Sequence, residues 1–497
     1  MKKRITAAFL LILTVLSLLA ACKPTPDTPQ GTTASDNKGS ATTTAKPGGA
    51  KEGYDKNGYI LDRLPETIDM KGEELSILYW SDRQYQEFDA AVQTGDDVND
   101  AIFWRNSRVQ TRLKDEVSFN PMKGDGNNYT GFVMHIETDR ETGKSYDIIA
   151  GYSIANASLA SRGICADLTE FDSILEFDMP WWPQKMVGES TLNGKLFFVT
   201  GDISTNLLMM MQCVYFNKTM IEERDTLRSP YGLVTENRWT VGTMMEMAEQ
   251  IYEDGGAPGK DADDTFGFTV SSDTNAFDTL FYSCGLRTME KDDSDLPVVS
   301  AKWNSEKTGS LLQKINRFFS TNSAYKTPTN KIFKQGRALF EMASLNLTFL
   351  TFSDIDFYGI VPAPMFDEYQ EEGYITAVST PHTLYSITDY SQKKEHGAYW
   401  LECTASESYR TVTPIVFTKT LKSTYSTDQE SSRMLDIIRD SIVFDVGRIY
   451  SYAFDNLTLT VWRDCIKNNN SNFSAEYKRT AEGIIDKKLS ELREKFS

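Results

Sequence analysis

Bond-making chemistry in this chain would have to come from three histidines, a few scattered cysteines and a surplus of carboxylates. His135, His382 and His396 lie far apart in the sequence, so a histidine metal site would need all of them to converge. Cys165, Cys213, Cys284, Cys403 and Cys465 contain no C-x-x-C pair. Their odd number excludes complete pairing within the chain, and they read as buried thiols. The nucleophile-elbow, zinc-protease and dinucleotide patterns are missing. Residues 255–260 imitate a phosphate loop only faintly, because Asp254 stands at the leading glycine position and Asp261 follows Lys260. Asp261, Asp263 and Asp264 could hold calcium, but Phe266 occupies the sixth loop position, where an EF-hand turns on glycine. Paired carboxylates could hydrolyse a glycoside, yet among 70 acidic residues no pair stands out. These residues point away from an enzyme and call for no cofactor and no metal.

Aromatic residues beside carboxylates suit a different task. A sugar ring has an apolar C–H face that stacks on an aromatic ring, and hydroxyls that need fixed polar partners. Trp80, next to Asp82, and Tyr152, next to Gly151, are the aromatics placed to do this. Each follows a short apolar run that reads as a strand.

Those strands belong to an alternating pattern. Leu75–Trp80 is a buried strand, 92–113 a helix, 117–119 a second strand, 132–138 the start of another helix and 146–151 a third strand, with a helix over 159–164. Such alternation predicts a mainly parallel sheet flanked by helices, with ligands beyond the carboxyl ends of its strands. The stretch 193–218 reads as an Asn193-Gly194 turn, a strand over 196–199, a polar break at Thr200-Gly201-Asp202, and a second strand over 213–216. That break marks a crossing from one lobe to another, with Asp202 facing a ligand cleft. Further on come a helix to Ile251, a strand over 266–270, a helix carrying Leu311, Ile315 and Phe318 inward, a strand and exit over 358–364, a strand over 374–388, helices over 397–403 and 433–448, and a final amphipathic helix over 475–495.

A length of 497 residues favours two lobes over one core. The formal charge of −18 argues against nucleic acid and against electrostatic docking on anionic lipid. Lys2, Lys3 and Arg4 precede an apolar run from Ala7 to Ala20, which has the length of a signal-peptide core and is short for a transmembrane helix. Residues 23–53 hold no large apolar side chain and read as a disordered tether. Order is expected from about Glu73.

The segment Leu19-Ala20-Ala21-Cys22 resembles the lipobox of bacterial lipoproteins. With YDIIAG (146–151), NGKLFFVTGD (193–202), VYFNKTM (214–220), RWTVGTMMEMA (238–248), and FKQGRALFEMAS (333–344) followed by YGIVPAPMFDE (358–368), the chain resembles the family 1 extracellular solute-binding proteins of sugar ABC importers. The resemblance implies a two-lobed periplasmic-binding-protein-like α/β fold, each lobe a mainly parallel sheet, joined by hinge crossovers near 199–201, 361–364 and 420–430. It implies a leader over 1–21, a lipidated Cys22 and tether over 22–72, one lobe from 73–199 with 365–425, and another from 200–364 with 426–497. It implies ligand contacts at Trp80, Asp82, Gly151, Tyr152, Asp202, Glu341 and Met342, although many sugar binders carry tryptophan where this chain has Met342-Ala343-Ser344. The implied partners are a carbohydrate ligand and membrane permease subunits. The implied product is a monomeric lipoprotein on the extracytoplasmic face of the cell membrane of a Gram-positive bacterium. A secreted glycan hydrolase and a sensor lipoprotein without a transporter are the alternatives.

Overall fold

A computed structural model gives the structure of the protein and describes residues 53–83, 87–143, 146–271, 275–327, 329–423 and 429–496. The leader, Cys22 and the tether up to residue 52 lie outside the described residues.

Two sheets organise the described chain. The first has Glu74–Trp80 at its centre, parallel to Glu116–Met122 on one side and to Ile148–Tyr152 on the other. Thr383–Ile387 returns antiparallel to Ile148–Tyr152 and closes the edge. Leu75 and Ile77–Trp80 are buried, as is all of Ile148–Tyr152. Both faces of a parallel sheet are covered by helices, so its strands read as continuous apolar runs. The covering helices are Asp97–Leu113, Tyr129–Thr142 and Ser153–Ser161. The first starts at Asp97 rather than 92 because Asp96 caps it, its carboxylate accepting from the backbone N–H of Val98 and Asn99.

The second sheet runs in the order Tyr358–Pro362, Gln212–Asn217, Ala338–Ser344, Thr265–Ser271 and Tyr252–Glu253, and Ala324–Thr327 also pairs with Thr265–Ser271. Ala338–Ser344, Thr265–Ser271 and Ala324–Thr327 are parallel, so their carboxyl ends point the same way.

Three chain segments pass between the sheets side by side. Val199 bridges Tyr385, Met211 bridges Val378, and Thr376–Ala377 pairs with Ile442–Val443. Residues 196–199 therefore form no strand of their own, only the single bridge at Val199. The second passage lies around Tyr374–His382 rather than 361–364, because Met365 is still held to the second sheet's side by hydrogen bonds with Trp239 and Val241. Lys394–Thr411 packs on Asp97–Leu113 of the first lobe, and Gln429–Asp440 packs on Tyr358–Pro362 of the second sheet. The chain therefore changes sides between them, and the expected crossing at 420–430 lies there, partly outside the described residues. The helix Gln429–Asp440 stops short of the expected 448 and hands over to Ile442–Val443. The strand expected over 374–388 is split into Thr376–Ala377 and Thr383–Ile387, with Pro381, which has no N–H to donate, in the gap. The helix expected over 397–403 extends over Lys394–Thr411. The carboxyl-terminal tail is two helices, Phe473–Thr480 and Glu482–Phe496.

Packed structure begins before Glu73. Ile68, Met70 and Gly72 donate backbone N–H groups to the carbonyls of Arg112, Leu113 and Lys114, which closes the last turn of the helix Asp97–Leu113. Asp62 accepts from the Arg112 guanidinium at 2.6 Å. No side-chain pattern announces such backbone pairing. All five described cysteines are free and buried.

Candidate functional site

A cavity of about 160 Å³ lies at the carboxyl ends of the parallel strands in the second sheet, where open α/β sheets bind ligands. Met342 and Ser344 supply one wall, Asn275 and Asn330 enter from the segments after neighbouring strands, and Ser379 with Pro381 lines it from the second passage. Every polar side chain at this cavity is uncharged.

Several of these groups are held in place by neighbours. Gln212 donates to the Ser379 hydroxyl and accepts from Thr279 Oγ1 at 3.2 Å. The Ser344 hydroxyl donates to Asn346 Oδ1 at 2.7 Å. Asn330 Nδ2 donates to Glu341 Oε1 at 2.6 Å, and Thr269 Oγ1 bonds Glu341 Oε2. Glu341 is fully buried, and burial pushes its carboxyl up to about 7. His382 Nδ1 lies 2.7 Å from the Ser379 carbonyl oxygen. Burial lowers that imidazole to about 4, so it is neutral at physiological pH and donates from Nδ1.

The ends of the first sheet's strands meet this region through Ser153 and Thr380. Ser153, which follows Tyr152, donates from Oγ to the Thr380 carbonyl at 2.7 Å, and the Thr380 hydroxyl lies 3.3 Å from Asn275 Oδ1. Trp80 has no exposed surface. Its ring stacks on Tyr152 with centroids 5.5 Å apart and planes 27° apart, and its indole N–H donates to Thr383 Oγ1 at 2.9 Å. Tyr129 meets both Tyr152 and Tyr452 edge-on, and Tyr452 is 37% exposed. Asp82 accepts the Gly124 N–H at 2.5 Å and bonds Asn128 at 3.2 Å, bracing the turn before Tyr129. Gly151 is required by close packing, since a Cβ there would lie 2.3 Å from Asn156 Oδ1.

Asp202 stands apart from this group. It lines a separate cavity of about 480 Å³ with Trp182, Gly201, Tyr409 and Arg439. Arg439 donates to both of its oxygens, at 2.8 and 3.1 Å, and Thr413 donates at 2.6 Å. The carboxylate holds the Arg439 guanidinium above its ordinary range. Gly201, at φ +150°, lets the chain pass within reach of the Trp181 carbonyl, which a Cβ would meet at 2.1 Å. Thus the structure brings Met342 to this cavity and leaves Glu341 buried behind Asn330, out of ligand reach, gathers Trp80, Asp82, Gly151 and Tyr152 at the ends of the first sheet, and puts Asp202 elsewhere.

Sequence reasoning overlooked Glu87. Its buried carboxylate accepts from the Tyr385 hydroxyl and the Asn206 backbone N–H, each at 2.8 Å, tying the segment after the first strand to two passages. Burial raises its pKa. Nothing in the polar run around it marks it in the sequence. Asn275 and Asn330 were also overlooked, since a lone asparagine in a polar loop carries no pattern.

With two helix-covered sheets, three adjoining passages and a polar cavity at the strand ends, the architecture is specific enough to compare. No family model and no curated protein matches the chain. Solved structures do. One is an ABC substrate-binding protein from Listeria monocytogenes in complex with cycloalternan, at a TM-score of 0.53 and 12% identity, with 84% of this chain and 99% of that one covered. A sugar transporter from Rhizobium etli in an open conformation aligns at 0.55 and 15%, covering 85% and 98%. UgpB from Mycobacterium tuberculosis in complex with glycerophosphocholine aligns at 0.55 and 13%, covering 80% and 96%.

The fold is that of a two-lobed periplasmic-binding-protein-like α/β protein.

Within this two-lobed fold, the cavity beside Ser379 and Pro381 sits next to the passages that join the sheets. Hinge closure in such proteins brings the ends of the two sheets together around a ligand. The glycerophosphocholine and cycloalternan complexes share the fold at similar scores, so the ligand has to be argued from this chain's own residues.

Proposed function

We propose that this protein is a non-catalytic solute-binding lipoprotein of the sugar ABC-importer type. It captures a carbohydrate between its lobes and delivers it to permease subunits in the membrane. The observation that carries this reading is the cavity at the strand ends of the second sheet, lined by neutral amide and hydroxyl groups and linked through Thr380 and Ser153 to the strand end that carries the Tyr152–Trp80 stack. Amides and hydroxyls match the donor and acceptor pattern of sugar hydroxyls, and the tyrosines offer stacking surface. A ligand that bridges the lobes favours the closed state by its differential affinity for that state. In the present conformation the cavity has room for a single ring, so a longer oligosaccharide would extend past it toward Tyr129 and Tyr452.

The leader and lipobox support the rest. Cys22 would carry the lipid, the tether would span to the folded part, and the monomer would work on the extracytoplasmic face of the cell membrane. A lipid chain anchors a protein without spanning the bilayer, and among the described residues no helix is long and apolar enough to cross one. Thermal unfolding across a library of neutral saccharides, amino sugars, uronates, peptides and phosphodiesters tests the reading. A saccharide-specific rise in Tm is expected. A rise confined to peptides or phosphodiesters, or turnover of the saccharide, would overturn it.

A further inference from the structure

We propose, on the basis of the carbohydrate-binding reading, that Glu341 is a positioning residue: it fixes the amide of Asn330 so that its carbonyl oxygen faces the cavity, making this wall selective for uncharged polyhydroxy ligands over uronates.

The amide of asparagine has two different ends, and a pocket that needs an acceptor must stop it from turning over. Here Nδ2 is taken by Glu341 Oε1 at 2.6 Å. Asn330 Oδ1 has no hydrogen-bond partner among the described residues, and Asn330 lines the cavity. Glu341 sits behind it on the strand Ala338–Ser344, fully buried, with Thr269 on its other oxygen. Thr269 Oγ1 also lies 3.3 Å from the Phe340 carbonyl. A protonated Glu341 can therefore donate to Thr269, which donates onward to Phe340, while Oε1 stays an acceptor for Asn330. Oε1 accepts from Asn330 Nδ2 whether or not Oε2 carries a proton, so the arrangement needs no ion partner.

The remaining lining groups follow the same logic. Asn346 has its oxygen occupied by Ser344, which leaves its N–H₂ as the outward group. Gln212 is fixed at both ends. The nearby guanidinium groups of Arg448 and Arg463 both bond Asp278, and Arg463 Nη2 also lies 3.3 Å from Oδ1 of the lining Asn275. The wall thus offers a fixed acceptor at Asn330 and a fixed donor at Asn346, and none of the side chains that line it is charged. Sugar hydroxyls use both, whereas a carboxylate meets the Asn330 oxygen unfavourably.

The test is isothermal titration of the full folded chain with a panel of neutral tri- and tetrasaccharides and the corresponding uronates, using the wild type, Glu341→Ala, Glu341→Gln, Asn330→Ala and the double alanine variant. The wild type is expected to bind a neutral saccharide and to bind its uronate counterpart at least tenfold more weakly. Asn330→Ala and Glu341→Ala should each lose roughly tenfold in affinity. Glu341→Gln, which keeps a carbonyl acceptor for Asn330, should retain it. The double variant should bind no worse than Asn330→Ala alone, because Glu341 acts through Asn330. Asn330 is half-buried in a loop, so its variant reports on binding even where Glu341→Ala fails to fold. Binding of a neutral saccharide with unchanged affinity in Asn330→Ala, additive losses in the double variant, or preference for uronates would overturn this inference while leaving the carbohydrate reading intact. Failure of the wild type to bind any saccharide would overturn both.

Discussion

Trp80 and Tyr152 lie stacked at the ends of adjacent parallel strands, with ring centroids 5.5 Å apart, and Ser153, next after Tyr152, donates to the Thr380 carbonyl in the second passage. Trp80 has no exposed surface and Tyr152 is 6% exposed, so Trp80 is the support and Tyr152 the ring of the two with surface left to offer a ligand. Tyr152→Ala is expected to weaken saccharide binding about tenfold or more and to red-shift tryptophan emission as Trp80 becomes wet. Trp80→Ala should instead destabilise the fold by about 3–5 kcal/mol, seen as a lower midpoint in urea. Equal losses of affinity with no change in stability for Trp80→Ala would contradict this division of labour.

The pair of Asp202 and Arg439 makes a separate prediction. Asp202 is 4% exposed and its main partner is the Arg439 guanidinium. Arg439→Met leaves that carboxylate buried without its cation, at an expected cost of about 3 kcal/mol or more. Asp202→Asn should cost less, because it removes the buried charge as well. Denaturant midpoints compare the two, and the reverse order would refute the account of this site.

Stability should also fall with rising pH because of Glu402. Burial raises its carboxyl to about 8, while the indole N–H groups of Trp181 and Trp182 bond its oxygens at 2.8 and 2.9 Å. A carboxyl whose folded pKa lies above its unfolded value of about 4.5 takes up a proton on folding. Its contribution is complete below that unfolded value and is lost as pH rises through the window from about 4.5 to 8, at up to about 1.4 kcal/mol per pH unit. Thermal midpoints at pH 5, 6.5 and 8 should decline, and Glu402→Gln should flatten the decline. Midpoints that rise across this window in the wild type would contradict the assignment.

Cys22→Ala should release the protein from the membrane. In the native host, the wild type is expected in the detergent phase and the variant in the aqueous phase or retained as an unprocessed precursor. Detergent partition of the variant identical to that of the wild type would sink the lipid-anchor proposal.

Much of the fold was legible because apolar strands and capped helices are local signals. Leu75–Trp80 and 146–151 announce themselves by continuous apolar runs, and they became the two central strands of the first sheet. The passages between lobes were harder to place, because Val199, Val378 and Ile442 are joined by single bridges and two-residue pairings that leave no periodicity. The early packing of Ile68 and Met70 was hidden for a similar reason: backbone groups hold it. In the candidate site, Glu341 and Met342 were reached through the motif around them. Asn275, Asn330 and Glu87 were not, since their roles come from neighbours distant in sequence. Asp202 looked like a cleft residue by its position after a strand, and only the fold reveals Arg439 across from it.

A crystal structure of the protein with the saccharide that binds most tightly tests the central claim most directly. The account predicts an intact saccharide in the cavity bounded by Asn330, Ser344 and Ser379, with a ring against Tyr152 and the two lobes closed around it. A saccharide found instead beside Trp182 and Arg439, or cleaved in the cavity, would contradict it.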